Sequence, residues 1–555
     1  MVCALSSLPV HPLTELHLSS SRRAFLEQAA ALGLIYGTGR ALAQSMPGMK
    51  MAGQKAKATG KPLSQTINVP MLHTLQLPAF VDPLPVPGIV RPAGPHHRLT
   101  VTMREIHTRV HRDVAPTRMW SYGTDAMAPV IEARAGQPLE ITWVNQLPKE
   151  HFLPIDYSLH GCGRDLPQVR TVAHVHGART ESKYDGYPED WFVVGQQRTC
   201  VYPMQQEAAT LWYHDHAMGL NRLNTYAGMV GMLLVRDAKE DALQLPAGKY
   251  EVPLILYDRN FTADGQLFYD TSGDEKSPWI PEFYADGLLV NGRIKPYHEV
   301  EPRLYRFRVL NAANSRFYVL SLTGNAAFTQ IGADQGLLPR PVQQQRLVLG
   351  SAERADILID FSKMAGQTVH LRTGAQDMVQ FRVAAHAAST VNNTAPAALP
   401  PVVRIAETDA VQTRTITLHD YKDQYEQSMV MLLNRKHWHE PTTEKPKLNS
   451  TEIWEFVNFT EDTHPMHMHL VHFQVLDRRP FDLTELLMNK KRVYIGEAEK
   501  PPAHEMGWKD VVQCPPSMVT RVIMKFEGYT GKYLYHCHIL EHEANDMMRP
   551  FEVVA

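Results

Sequence analysis

The sequence predicts an all-β protein made of three β-sandwich domains. Three observations predict it. Short segments at 97–103, 138–144 and 414–418 alternate polar and apolar residues with the period of a strand. Pro and Gly turns separate such segments, as in sandwiches and barrels. One phrase also recurs three times. Leu139-Glu-Ile-Thr-Trp-Val-Asn145 is echoed by Leu304-Tyr-Arg-Phe-Arg-Val-Leu-Asn311 and by Glu452-Ile-Trp-Glu-Phe-Val-Asn458, each an alternating strand that ends on Asn. The copies lie roughly 150–165 residues apart, a domain-sized period.

In chain order, 1–43 reads as an export signal of the twin-arginine type. Ser21-Arg22-Arg23-Ala24-Phe25-Leu26 precedes a weakly apolar run, and Ala41-Leu42-Ala43 supplies small residues for cleavage. The run is short and Gly-broken, so no membrane anchor is expected. Periplasmic or secreted location and use of the twin-arginine machinery follow as expectations. Residues 44–65, rich in Gly, Lys, Met and Ala, read as a disordered tail. The first sandwich is expected over 66–240 and the second over 245–385. A Pro/Ala/Asn linker is expected at 386–402, and the third sandwich over 403–555.

The 555 residues carry a formal net charge of −2. That gives no global bias towards nucleic acid or an anionic membrane as partner. The oddities are 27 His and 24 Met, both able to ligate copper. Five cysteines are too few for a disulfide framework in a chain of this size. Cys162 and Cys200 are candidates to pair, which would leave Cys514 free. Cys537 lies between two histidines and needs its own explanation.

Four clusters gather metal-binding side chains. They are His174-Val-His176, His214-Asp-His216, His464-Pro-Met-His467-Met-His469, and His536-Cys537-His538 followed by His542 and Met547. On a strand, residues i and i+2 share a face and i+1 takes the other. Each His-x-His therefore aims two imidazoles at one point, while Cys537 points away from His536 and His538. His464, an odd number of residues before His467, faces away from His467 and His469 if the segment is extended. The ligands thus sort into two groups. Cys537, His464, His542 and a Met make the thiolate, two-imidazole and weak-thioether set of a blue electron-transfer copper. Met547 and Met548 are both candidates for the thioether. Zinc accepts Cys and His, but the Met and the neighbouring His pairs favour copper. The eight remaining imidazoles, His174, His176, His214, His216, His467, His469, His536 and His538, suit three coppers with open positions for O₂. Four coppers match the four electrons that take O₂ to water. Two clusters lie in the first domain and two in the last, so those domains must meet face to face.

The segments Leu211-Trp-Tyr-His-Asp-His-Ala-Met218, 463–482 and 535–550 resemble the multicopper oxidases. Within that family they are similar to the bacterial spore-coat laccases, with bilirubin oxidases and phenoxazinone synthases as close relatives. The resemblance implies cupredoxin-like Greek-key sandwiches. It also implies a thioether ten residues after the Cys, hence Met547. His174 and His467 then bind the type 2 copper, and the other six imidazoles bind the type 3 pair. Asp185 and Glu543 match the family's acids beside the oxygen site, where carboxylates deliver protons. The partners implied are O₂ and a small reducing substrate, a phenol or aromatic amine, with electrons entering mainly at His542. The chain is expected to be a monomer. One departure is the short, cysteine-free segment at 372–378, where spore-coat laccases carry a longer loop that shapes the cleft.

Other motifs are set aside. His437-Trp-His439 has no partner motif, and His107 and His111 sit in a strand-like stretch. Met46, Met49 and Met51 fall in the tail. The second domain has no copper motif and is expected to space the outer domains and wall the cleft. Two rival activities are a periplasmic cuprous oxidase and a bilirubin oxidase. The scattered methionines of the third domain count against the first. A ligand-depleted binding protein does not fit a chain that has every expected ligand.

Overall fold

The computed structural model describes residues 69–92, 94, 97–123, 127–387 and 394–555. The signal expected over 1–43, the tail expected over 44–65 with Met46, Met49 and Met51, and the centre of the linker lie outside the described residues.

Three pairs of sheets follow one another along the chain. In the first, the strand order Ile89–Val90, Val130–Arg134, Val230–Arg236, Ala209–Asp215, Ala173–His176 forms one sheet. Thr117–Ser121, Arg98–Thr108, Leu139–Gln146 and Gln197–Tyr202 form the other. One apolar cluster takes Val130, Leu211 and Leu233 from the first sheet and Met103, Leu139 and Ile141 from the second, so the two faces bury each other. The second pair encloses Leu254, Phe307, Ile357, Tyr318, Leu371 and Phe381. The third encloses Ile416, Phe456, Val522, Met466, Tyr533 and Phe551.

The repeated phrase has the same place in all three. Leu139–Gln146, Leu304–Asn311 and Thr451–Asn458 each pair in parallel with an earlier strand and antiparallel with a later one. The terminal Asn has a common task. The side-chain oxygens of Asn145, Asn311 and Asn458 accept the N–H two residues on, at 3.1, 3.0 and 2.8 Å, which turns the chain off the sheet. The amides of Asn311 and Asn458 reach across the core to the carbonyls of Leu349 and Cys514, both at 2.9 Å. All three Asn are fully buried, and each amide is satisfied.

The third pair positions the metal-binding motifs. Its four-stranded sheet runs Val511–Cys514, His464–Met468, Gly531–Cys537, Met548–Val553. Hydrogen bonds join this sheet to the first domain, from Tyr533 Oη to Thr180 O at 2.9 Å and from Ser182 Oγ to Lys532 O at 2.6 Å.

Cys162 and Cys200, left open as candidates to pair, are both free and buried. Cys200 lies on Gln197–Tyr202 opposite Ile141, while Cys162 packs on Gly219 in a separate loop. Burial alone accounts for both thiols. The segment at 372–378 is a tight hairpin in which Thr373 pairs with Gln376. Among the described residues, no helix is long and apolar enough to cross a membrane.

Candidate metal centre

Two strand pairings bring histidines directly opposite one another. His174 faces His214 across Ala173–His176 and Ala209–Asp215, and His467 faces His536 across His464–Met468 and Gly531–Cys537. His216, His469 and His538 each follow the end of their strand. All eight residues are at most 1% exposed. His469 Nε2 and His216 Nε2 lie 3.2 and 3.4 Å from His536 Nε2. The ring centroids of His174 and His469 are 4.0 Å apart, those of His176 and His467 3.7 Å, and His538 lies 5.1 Å from His176. Ligand atoms group within 4.8 Å as His216, His469 and His536, as His174, His467 and His469, and as His174, His176 and His214.

Backbone carbonyls set the tautomers. His174 Nδ1 donates to Asp185 O at 2.5 Å, His214 Nδ1 to Asp215 O at 2.9 Å, and His467 Nδ1 to Asp510 O at 2.8 Å. A carbonyl only accepts, so in each ring the lone pair is on Nε2. Those three Nε2 atoms are buried without a hydrogen bond, as are ring nitrogens of His176, His216 and His538. Each such orphan costs about 1–3 kcal/mol in an apolar interior, so the seven nitrogens on these six rings are costly together unless a metal satisfies them. Burial keeps the rings in the neutral form that binds metal. It pushes His174 and His216 down to about 3 and holds His176, His214, His467, His469 and His538 well below the ordinary imidazole range.

On the other face of the same strand, Cys537 Sγ lies 3.4 Å from His464 Nδ1 and 3.6 Å from His542 Nδ1, and those two nitrogens are 3.3 Å apart. All three residues are fully buried. Thr460 Oγ1 holds His464 Nε2 at 2.6 Å. Glu282 Oε1 lies 3.4 Å from His542 Nε2; its side chain is 16% exposed, whereas His542 itself is fully buried. Met547 shares an apolar cluster with Cys537, and its N–H donates to His542 O at 2.9 Å. Met548 belongs to a different cluster, with Met218, Trp438 and Leu534.

Asp185 orients two rings at once. Its carbonyl takes His174 Nδ1, and its Oδ2 takes His469 Nδ1 at 2.7 Å. The close approach depends on Gly186, at φ +89°, where a Cβ would sit 2.8 Å from Ala173 O. Burial raises the Asp185 carboxyl well above the carboxylate range. Glu543 lies 3.2 Å from His536 Nδ1 and 3.4 Å from His216 Nε2. Burial pushes its pKa up, but the two imidazoles outweigh burial and bring it below the ordinary value.

A third layer, around Asp510, has no motif in the sequence. Asp510 Oδ1 lies 3.1 Å from His176 Nε2, and the same residue's carbonyl holds His467. Arg354, from the second domain, grips Asp510 with two bonds of 2.6 and 2.5 Å, while Gln335 Nε2 donates to it at 2.6 Å. Arg354 Nε also donates to Thr210 O at 2.8 Å, on the strand that carries His214. The second domain, which has no metal motif, therefore braces the centre.

Comparisons with known proteins agree with this geometry. Residues 165–240 and 408–555 match two models described as multicopper oxidase. The chain is 42% identical to a laccase of Bacillus stratosphericus, over 86% of this chain and 100% of that protein. It is 43% identical to a laccase of Bacillus subtilis, over 86% and 99%. The crystal structure of the McoA multicopper oxidase of Aquifex aeolicus superposes with a TM-score of 0.71 at 29% identity, over 85% of this chain and 99% of that one.

Proposed function

The chain belongs to the multicopper oxidase family, and from that premise we propose how its side chains divide the work of oxidising a small reductant and reducing O₂. It is a laccase-like, oxygen-using oxidoreductase with cupredoxin-like sandwich domains. The observation that carries the finer reading is the tripeptide 536–538. Its thiolate stands in one ligand group and its two imidazoles in the other, so one peptide links the two centres covalently.

The residues present fit copper. Cys537, His464 and His542 with Met547 would hold a type 1 ion, with soft sulfur and imidazole donors. His174 and His467 would hold a type 2 ion, and His176, His214, His216, His469, His536 and His538 a type 3 pair. When bound, four copper ions would supply one-electron storage for the four electrons that convert O₂ to water. The protein supplies the rest. A phenol or aromatic amine docks against the edge of His542, where Glu282 can accept the proton released as the electron leaves. Little positioning is needed for electron entry at an imidazole edge, which supports a broad substrate range. Asp185 and Glu543, one with its pKa raised and the other with it lowered, flank the eight-histidine centre and relay protons to it. The twin-arginine pattern at 21–26 supports export of the folded chain.

Two measurements test the reading. Loaded protein should contain about four copper per chain and show a strong blue band, and Cys537→Ser should abolish the band and turnover while the histidine centre keeps copper. Oxygen consumption should respond to phenols and aromatic amines more strongly than to bilirubin or Cu(I). Zinc-loaded, colourless wild type would overturn the assignment.

A further inference from the structure

His437-Trp438-His439 has the spacing of the metal motifs but stands outside both centres. Trp438 turns inward, 4% exposed, and donates to Glu189 Oε1 at 3.0 Å. The histidines on either side therefore turn outward. Arg549, itself fully buried, fixes the loop by donating to the carbonyls of His437, Trp438, Glu440 and Pro441. His437 Nδ1 is held by Asp546 Oδ2 at 2.6 Å, which leaves its Nε2 outward. His439 lies 5.9 Å from His437 on one side and 5.9 Å from His160, a first-domain residue, on the other, with rings tilted by 14° in both pairs. An ion bound by one in-plane nitrogen of each of two rings, at about 2 Å from each, puts their centroids roughly 6 Å apart.

Directly beneath lies the cluster of Met218, Trp438, Leu534 and Met548. The backbone after His160 rests on it, since a Cβ on Gly161 would meet Met218 Cγ at 2.4 Å. Gly219 closes the contact, because its Cβ would meet His160 O at 2.7 Å. Met218 follows His216 by two residues, and Met548 pairs across the sheet with His536. Two thioethers thus stand between a surface histidine row and two histidines of the inner centre.

We propose that His160 and His439, flanked by His437 and Asp546, form a surface capture site for monovalent copper, and that Met218 and Met548 hand the ion inward to His216 and His536. Imidazole pairs and thioethers both suit soft Cu(I). The ion keeps its oxidation state and exchanges one ligand for the next. The handover rests on the reading of His216 and His536 as copper ligands, whereas the capture site does not.

Ag(I), a soft monovalent ion that the enzyme cannot oxidise, probes the capture site on copper-loaded protein. Calorimetric titration should show one Ag(I) per chain whose affinity falls about tenfold or more in His160→Ala and His439→Ala, the scale for loss of a metal-site partner. His107→Ala, at an exposed position on Arg98–Thr108, should leave it unchanged. Equal Ag(I) binding by wild type and His439→Ala overturns the capture site. For the handover, apo-protein is mixed with Cu(I) without oxygen, and the appearance of chelator-resistant copper beyond the one blue ion is timed. Met218→Leu and Met548→Leu should slow its appearance roughly tenfold with the same final copper content and intact Ag(I) binding. Loading at the wild-type rate in both overturns the handover. Wild type that takes up no copper in the histidine centre, with Ag(I) binding intact, would instead mark failure of the metal-centre reading.

Discussion

Arg354 and Asp510 form a fully buried, two-bonded ion pair between the second and third domains, and Asp510 touches two candidate ligands, His176 and His467. A buried carboxylate that loses its partner costs about 3–5 kcal/mol. Arg354→Met should therefore lower the melting temperature and also free His467 from its fixed orientation. Metal analysis and electron paramagnetic resonance should show copper lost from the type 2 position before the blue band fades. A variant with full type 2 signal would show that the pair serves stability alone.

Met547 and Met548 differ in surroundings, not in chemistry. Met547 lies with Cys537, and Met548 lies on the far side of the strand with Met218. Met547→Leu removes a weak donor to oxidised copper, so the reduction potential should rise while the blue band persists. Met548→Leu should leave the potential near that of the wild type. A redox titration giving the opposite order would move the axial role to Met548.

Glu543 stands between His216 and His536 and away from the substrate edge at Glu282. Glu543→Gln should leave anaerobic bleaching of the blue band by a phenol unchanged. Recovery of the band on mixing with O₂ should slow by tenfold or more, the usual scale for a positioned acid–base group. Stopped flow separates the two phases. Slowed bleaching with normal recovery would place Glu543 on the reductant side.

His151 gives the fold a pH dependence apart from the metal. Its ring lies tilted against Trp120, its Nε2–H donates to Asn224 Oδ1, and burial holds its imidazole neutral down to about 3. The unfolded imidazole takes up its proton near 6.5. Between those values the unfolded chain binds more protons, so the stability His151 contributes is present above pH 6.5 and lost as pH falls towards 3. The melting-temperature gap between wild type and His151→Gln should narrow from pH 7 to pH 5. A gap that stays constant would mean that His151 is not held neutral.

The sorting of the clustered imidazoles to one side and Cys537 to the other was legible because strand geometry converts spacing into direction, whereas Met547 rested on the family's spacing. Two residues apart means one face, one residue apart means the opposite face, and 536–538 obeys both. The three sandwiches were legible for a similar reason, since Asn145, Asn311 and Asn458 repeat a local turn that each domain needs. Arg354 and Asp510 were not legible. They are 156 residues apart and belong to no local pattern, so only the packing of three domains brings them together. Whether Cys162 pairs with Cys200 was not legible either, because a disulfide depends on the distance between two Cβ atoms, which cysteine counts do not contain.

His216 and His536, whose Nε2 atoms nearly touch, are separated by 320 residues of chain. Synthesis runs from the N-terminus, and domains fold as they emerge. The first sandwich is thus made long before the residues that complete its histidine centre exist. Until the last short stretch of polypeptide is released, neither centre has its full set of donors. A nascent or prematurely stopped chain can collect at most a fragment of the metal set and has no covalent thiolate link to feed it electrons. The order of the motifs along the chain therefore defers both candidate centres until the segment 536–547 has joined the earlier domains.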